Sequence, residues 1–220
     1  MTRLLLAIAL VAIVAAGIWI YARGWAPGRD DYPVQGVSVD ANQGALDWGT
    51  LAARDVDFAY IRATQGDRLD RAFAANWQGA RAAGLRYGAI LDFSLCRLAS
   101  DQATRFITSV PRDNAALPPA LRLAFDEGCK ARPSRQTLLA EIGTLVAMVE
   151  SHAGKPLLVN VTPDFDKAYD IGFGINRTLW LDGDFFPPDY ASRRWVMWTA
   201  NGARHIDGID GPIRWDVVAP

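Results

Sequence analysis

Residues 117–134 read LPPALRLAFDEGCKARPS, and their pattern decides how the rest of the chain is read. The stretch Leu121-Arg122-Leu123-Ala124-Phe125-Asp126 alternates as a buried strand does. Leu121, Leu123 and Phe125 face one way, and Arg122, Ala124 and Asp126 the other. Arg122 is therefore set in mid-strand, where an unpaired charge is costly to bury. The surrounding fold has to account for it.

On either side of this strand a regular rhythm is legible. Strands are predicted at residues 36–40, 57–62, 87–93, 156–161, 178–181, 195–199 and 213–217. Helices are predicted at 48–54, 70–83, 101–110 and 134–152. The second is stopped by Gly84, the third by Pro111, and the last is capped by Ser134 and ended near Gly154. Strands alternating with helices imply parallel β-α units. Eight strands in a chain of 220 residues suggest an α/β fold: a modified TIM-like barrel whose later helices are shortened or lost. In such barrels the site lies at the C-terminal ends of the strands.

The N-terminus is of another kind. Leu4 to Tyr21 (LLLAIALVAIVAAGIWIY) carries no charge and is long enough to span a bilayer as a helix. Arg3, Tyr21, Arg23 and Trp25 flank it in the manner of an interfacial belt. Residues 1–22 are expected to be a transmembrane signal-anchor, 23–34 a linker, and 35–220 the barrel. A signal peptide cleaved near Val14-Ala15-Ala16 is the rival reading. The first places the protein in the inner membrane with a periplasmic C-terminal domain; the second makes it secreted. Either way the globular part is exported, and in an oxidising compartment Cys96 and Cys129 are expected to be bridged rather than two buried thiols. Each follows a predicted strand, and ends of adjacent strands can come within bridging range.

The composition removes several function classes. The formal net charge is -1, which gives no electrostatic reason for nucleic-acid binding. There is no CxxC and no Cys/His cluster, so no metal site and no cofactor is expected. Two histidines supply a His-based triad poorly. There are eight Trp, which serve either core packing or sugar and interface contacts. Trp48 and Trp77, on predicted helices, read as scaffold.

The segments YPVQGVSVDANQGALDW, FAYIRATQG, FAANWQGARAAGLRYGAILDF, QATRFI, LPPALRLAF and GIDGPIRWDVV follow one another in a recognisable order. Across residues 33–218 the chain resembles the glycoside hydrolase family 25 lysozymes, the Chalaropsis-type muramidases. Cys96-Arg97 and Cys129-Lys-Ala-Arg-Pro-Ser look like that family's Gram-negative branch, which often carries both cysteines. The resemblance implies hydrolysis of the β-1,4 bond after N-acetylmuramic acid in peptidoglycan. Ordinary glycosidases need a protonated acid for the leaving oxygen and a second carboxylate for the cation-like centre.

The family pattern has Asp in the first motif, an Asp-x-Glu pair after Leu-Pro-Pro, and Asp in the final motif. This chain has Ser38, Arg122 with Ala124, and Arg214 there. Gln65 stands for the Glu of Ala-Thr-Glu-Gly, and Ile90-Leu91-Asp92 for Tyr-His-Phe. Neither Ser, Ala nor Arg gives up a proton near working pH. Carboxylates remain close by, at Asp40, Asp92, Asp126, Glu127 and Asp216. Three readings are open. Arg122 and Arg214 pair with Asp40, Asp92, Asp126 or Asp216 in a structural ion network. Alternatively they hold an anionic glycan or a protein partner, with Trp180 and Trp198 stacking on sugar. In the third, a displaced carboxylate pair retains muramidase activity. The expectation is a catalytically inactive, lysozyme-like pseudoenzyme at the cell envelope that binds peptidoglycan glycan or a protein partner.

Overall fold

The structure, a computed structural model, describes residues 2–220. Met1, the first residue of the predicted anchor, and the side chains of residues 2–4 lie outside the described residues. The chain begins with helix α1 (Thr2–Gly24). Then come β1 (Gln35–Val39), α2 (Trp48–Ala53), β2 (Phe58–Gln65), β3 (Arg68–Leu69), α3 (Phe73–Ala82), β4 (Arg86–Asp92), α4 (Ala99–Ser109) and β5 (Ala120–Leu123). The second half holds α5 (Arg135–Ala153), β6 (Leu158–Val161), α6 (Pro163–Tyr169), α7 (Ile171–Gly174), β7 (Thr178–Asp182), β8 (Met197–Arg204) and β9 (Ile213–Val218).

Eight of these strands close on themselves in the order β1-β9-β8-β7-β6-β5-β4-β2, with β2 hydrogen-bonded back to β1. The short β3 only folds back on the end of β2. Strands β1 to β8 of the barrel run parallel, but β9 is antiparallel to both its neighbours. The parallel β-α units expected from the sequence are present, and the last strand departs from them. An antiparallel strand needs only a hairpin from β8, where a parallel one would need a crossover. No helix separates β7, β8 and β9, so the predicted loss of later helices is observed. The short α6 and α7 were not anticipated from the sequence.

Two apolar layers hold the barrel. One fills its interior with Phe58, Tyr60, Ile90, Ala120, Leu158, Trp180 and Met197. The other lies between the outward faces of the strands and the helices. Space for the aromatic rings comes from glycine. A Cβ at Gly79 of α3 would come within 2.2 Å of the Trp48 ring. Trp48 and Trp77 are buried, as their scaffold reading required.

Where the helices are missing, residues 25–34 take their place. Trp25, Ala26 and Tyr32 pack against the outer layer, with Tyr32 and Trp198 rings 5.8 Å apart. The Gln35 amide donates to the carbonyls of Pro27 and Tyr32, and the Trp215 indole donates to Gln35 Oε1. The segment expected to be a linker is thus part of the domain wall. At the other face, Cys96 and Cys129 form a disulfide that ties the loop after β4 to the turn after β5.

Candidate active site

The inward residues nearest the C-terminal ends of the strands are polar, and they form two linked clusters around arginines. Alternation along each strand puts them there: Ser38 follows Gly36, Arg62 follows Tyr60, Asp92 follows Ile90, and Asp182 follows Trp180. A register shift in the β2–β4 pairing between Arg62 and Thr64 adds a local irregularity of the sort found beside functional sites.

In the first cluster Asp182 is gripped by two arginines. Arg214 donates to its Oδ1 at 2.7 Å and to its Oδ2 at 3.1 Å, and Arg122 donates to Oδ2 at 3.2 Å. The Asn160 amide donates to Asp182 Oδ1 at 2.8 Å, and its carbonyl oxygen accepts from Arg122 and Arg214. Arg214 also donates to the Thr199 hydroxyl at 2.7 Å. Burial pushes the Asp182 carboxyl up, while Arg122 pulls it back. Both arginine side chains stay 23 % exposed. Arg214 spends both terminal nitrogens inside the cluster. Arg122 engages only Nη1; its Nε and Nη2 have no hydrogen-bond partner among the described residues, and the residue lines two cavities at the mouth.

In the second cluster Arg62 joins Asp40 (2.8 Å), Asp70 (3.0 Å) and Asp92 (3.6 Å). Burial raises Asp92, opposed by the charges of Arg122 and Arg62. Beneath both clusters lies Asp216, fully buried. Ser38 donates to its Oδ2 at 2.6 Å and Thr199 to its Oδ1 at 2.7 Å. Burial pushes this carboxyl up to about 7, against the pull of those two hydroxyls.

Several expected partners are therefore different. Arg122 and Arg214 meet on Asp182, not on Asp40, Asp92, Asp126 or Asp216. Asp126 is exposed and accepts from the Gly128 amide in its own turn. Trp180 and Trp198 are both buried, 0 % and 1 % exposed, so neither offers a face to a sugar. Trp180 points into the barrel and its indole donates to Thr199; Trp198 points outward. The sequence reading missed Arg62, Asp70, Asn160, Asp182 and Thr199. Extending the 178–181 strand by one residue would have shown Asp182 on the same face as Trp180.

Above the clusters the mouth is open. A cavity of about 260 Å³ over Ser38, Asp40, Arg62, Arg122 and Arg214 adjoins one of about 320 Å³ along Arg122, Ala124 and Glu127, with Asp92 and Arg122 lining both. The second adjoins a third of about 300 Å³ beside the disulfide, sharing Gln65, Ser94 and Asp126 with it. Together they make a polar groove from the barrel axis to the loops after β4 and β5.

Comparison with known proteins matches this architecture. The domain is similar to a family 25 glycosyl hydrolase from Bacillus anthracis, with a TM-score of 0.79 and 28% identity over 87% of this chain and 91% of that one. It shares the fold of the bacterial lysozyme from Streptomyces coelicolor, with a TM-score of 0.76 and 22% identity over 84% of this chain and 91% of that one. By sequence it is 30% identical to the uncharacterized protein YegX of Escherichia coli K12, over 84% of this chain and 70% of that protein. A shorter stretch, 27% of the chain, is 39% identical to lysozyme M1 of Streptomyces globisporus and covers 21% of it. The model of glycosyl hydrolases family 25 matches residues 37–209, and the chain belongs to that family.

Proposed function

We propose that this domain is a non-hydrolytic member of its family: an envelope protein, anchored by α1, that binds peptidoglycan glycan in the groove without cutting it. The family's fold supports a peptidoglycan-related role. The observation that carries the loss of hydrolysis is the Arg122–Asp182–Arg214 cluster. Two arginines stand at positions where the resemblance expects carboxylates, and the one carboxylate among them is held by both. Hydrolysis needs one carboxyl to give a proton and another to support the cationic centre, on either side of the scissile bond. Asp40 and Asp92 share the single guanidinium of Arg62 and so do not stand as two free carboxyls on either side of a scissile bond. Ala124, where the acid is expected, offers no proton at all.

Binding rests on Arg122. Its free Nε and Nη2 suit a carboxylate, since planar guanidinium pairs with carboxylates through parallel hydrogen bonds. Muramyl lactyl groups and stem peptides carry such carboxylates. With Trp180 and Trp198 buried, recognition falls to charge and hydrogen bonding rather than stacking.

The test is incubation of the full chain, in detergent, with purified peptidoglycan sacculi. Co-sedimentation and released sugar reducing ends are both scored. Sedimentation without release is expected, and Arg122→Ala should weaken it while Arg214 still holds Asp182. Release of reducing ends by the wild type would overturn the reading.

A further inference from the structure

We infer that the lip of the barrel mouth beside β8 is a membrane contact, and that a bilayer surface is what covers Phe185 and Phe186. The inference rests on the anchor part of the proposed function, and it concerns how the domain is seated. Helix α1 is long and apolar enough to cross a membrane from Leu5 to Gly24. Those 20 residues rise about 30 Å as a helix, the thickness of the hydrocarbon core. The span is therefore used up at Gly24, and Trp25 falls at headgroup level. Trp19 and Arg23, stacked at 4.1 Å, and Tyr21 precede it, residue types that favour this layer.

The chain beyond Gly24 is not a loose tether. A helix end leaves its last carbonyls without partners, and here β8 and the residue after it supply them. The Asn201 side-chain amide donates to Ala22 O at 2.8 Å, the His205 backbone amide to Arg23 O at 2.8 Å, and Arg204 Nε to Gly24 O at 3.3 Å. Asn201 donates to Trp25 O as well, at 3.0 Å. The helix exit is thereby fixed to the C-terminal end of β8, which lies at the mouth.

The loop after β7 sits beside this exit. The Trp25 and Phe185 rings are 5.2 Å apart. Phe185 has φ +67°, and its amide donates to Ala200 O at 2.8 Å. That left-handed conformation is uncommon for a bulky residue, so the backbone is held there against its preference. Phe186, next to it, is 77 % exposed. An aromatic pair presented at the exit point of a membrane span meets the interface that the span itself defines.

The seating also orients the groove. Strand β4 lies across the barrel from β8. The groove's inner end, at Arg214 of β9, is next to the lip. Its outer end, at the disulfide, opens on the side away from it.

The test uses the full chain reconstituted into phosphatidylethanolamine/phosphatidylglycerol vesicles. With the native disulfide intact, Phe186→Cys, Phe173→Cys and Gly17→Cys each carry one free thiol for an environment-sensitive fluorophore. Phe173 is equally exposed at 77 %, but in α7, which leads into the opposite end of the barrel. Quenching by headgroup-level nitroxide lipids should be several-fold stronger at 186 than at 173, and Asn201→Ala should reduce it. Equal, weak quenching at 186 and 173 with strong acyl-level quenching at 17 would overturn the seating while leaving the anchor intact. Absence of quenching at 17 would overturn the anchor and the seating with it.

Discussion

Replacing Asp182 with alanine tests the ion cluster most directly. Its carboxylate is only 18 % exposed and neutralises two guanidinium groups that are 23 % exposed. Removing one partner of a buried pair costs about 3–5 kcal/mol, because the remaining charge stays desolvated. Partial exposure and the Asn160 carbonyl, which still accepts from both arginines, bring this to roughly 2–4 kcal/mol. For a domain of this size 1 kcal/mol moves the midpoint by about 2–4 °C, so the thermal transition should fall by roughly 4–16 °C. Asp126→Ala, an exposed turn residue, is the control and should shift it by about 2 °C or less. Adding Arg214→Met to Asp182→Ala should restore part of the loss, since the stranded charge goes too. Near-UV circular dichroism of the full chain in detergent reads the transition. If Asp182→Ala melts with the wild type, or the double variant is less stable than Asp182→Ala, the arginines are held by solvent and not by Asp182.

Three more outcomes are expected. Asp216 titrates near 7 when folded but near 3.9 when unfolded, so the folded state holds the extra proton between those values. Stability should therefore be fully present below about pH 4 as far as this group is concerned, and fall by roughly 4 kcal/mol as pH rises to 7; denaturant titrations at stepped pH should show the slope, and Asp216→Asn should flatten it. The disulfide closes a segment of sequence separation 33, so Cys96→Ser/Cys129→Ser should cost about 3–4 kcal/mol in guanidinium unfolding. Asn201→Ala removes the side chain that bonds both Ala22 O and Trp25 O, and limited proteolysis should then cut near residue 25, where the wild type resists.

The sequence carried the barrel because its signals are local. Period-two apolar runs, a Gly after α3 and a Ser before α5 each mark an element boundary within a few residues. The cysteine bridge was legible as well, since both thiols follow neighbouring strands. The antiparallel direction of β9 was not, because alternation looks the same whichever way a strand runs. The partners of the arginines were also beyond reach. Arg122 meets an aspartate 60 positions away, and which of several inward carboxylates it meets depends on strand stagger, not on spacing within a strand. Trp180 and Trp198 read as possible sugar platforms because composition says nothing about facing. The structure turns one into the barrel and one under Tyr32.

The buried Asp216 shows that an acid's titration range does not by itself make a general acid. A general acid must reach the leaving oxygen directly or through one water, and geometry comes before pKa. Both Asp216 oxygens are engaged, by Ser38 and Thr199, and the residue is completely shielded. The Ser38 side chain lines the mouth cavity in its place. The same burial that lifts its pKa removes it from any substrate. Placing carboxylates at positions 38, 122, 124 and 214 would disturb the arginine clusters. Asp182 would then lose both guanidinium partners and stand among like charges, which raises carboxyl pKa values and destabilises the site. Such a change would also require Asp182 to be neutralised, so the present cluster behaves as one coupled unit and not as four independent positions.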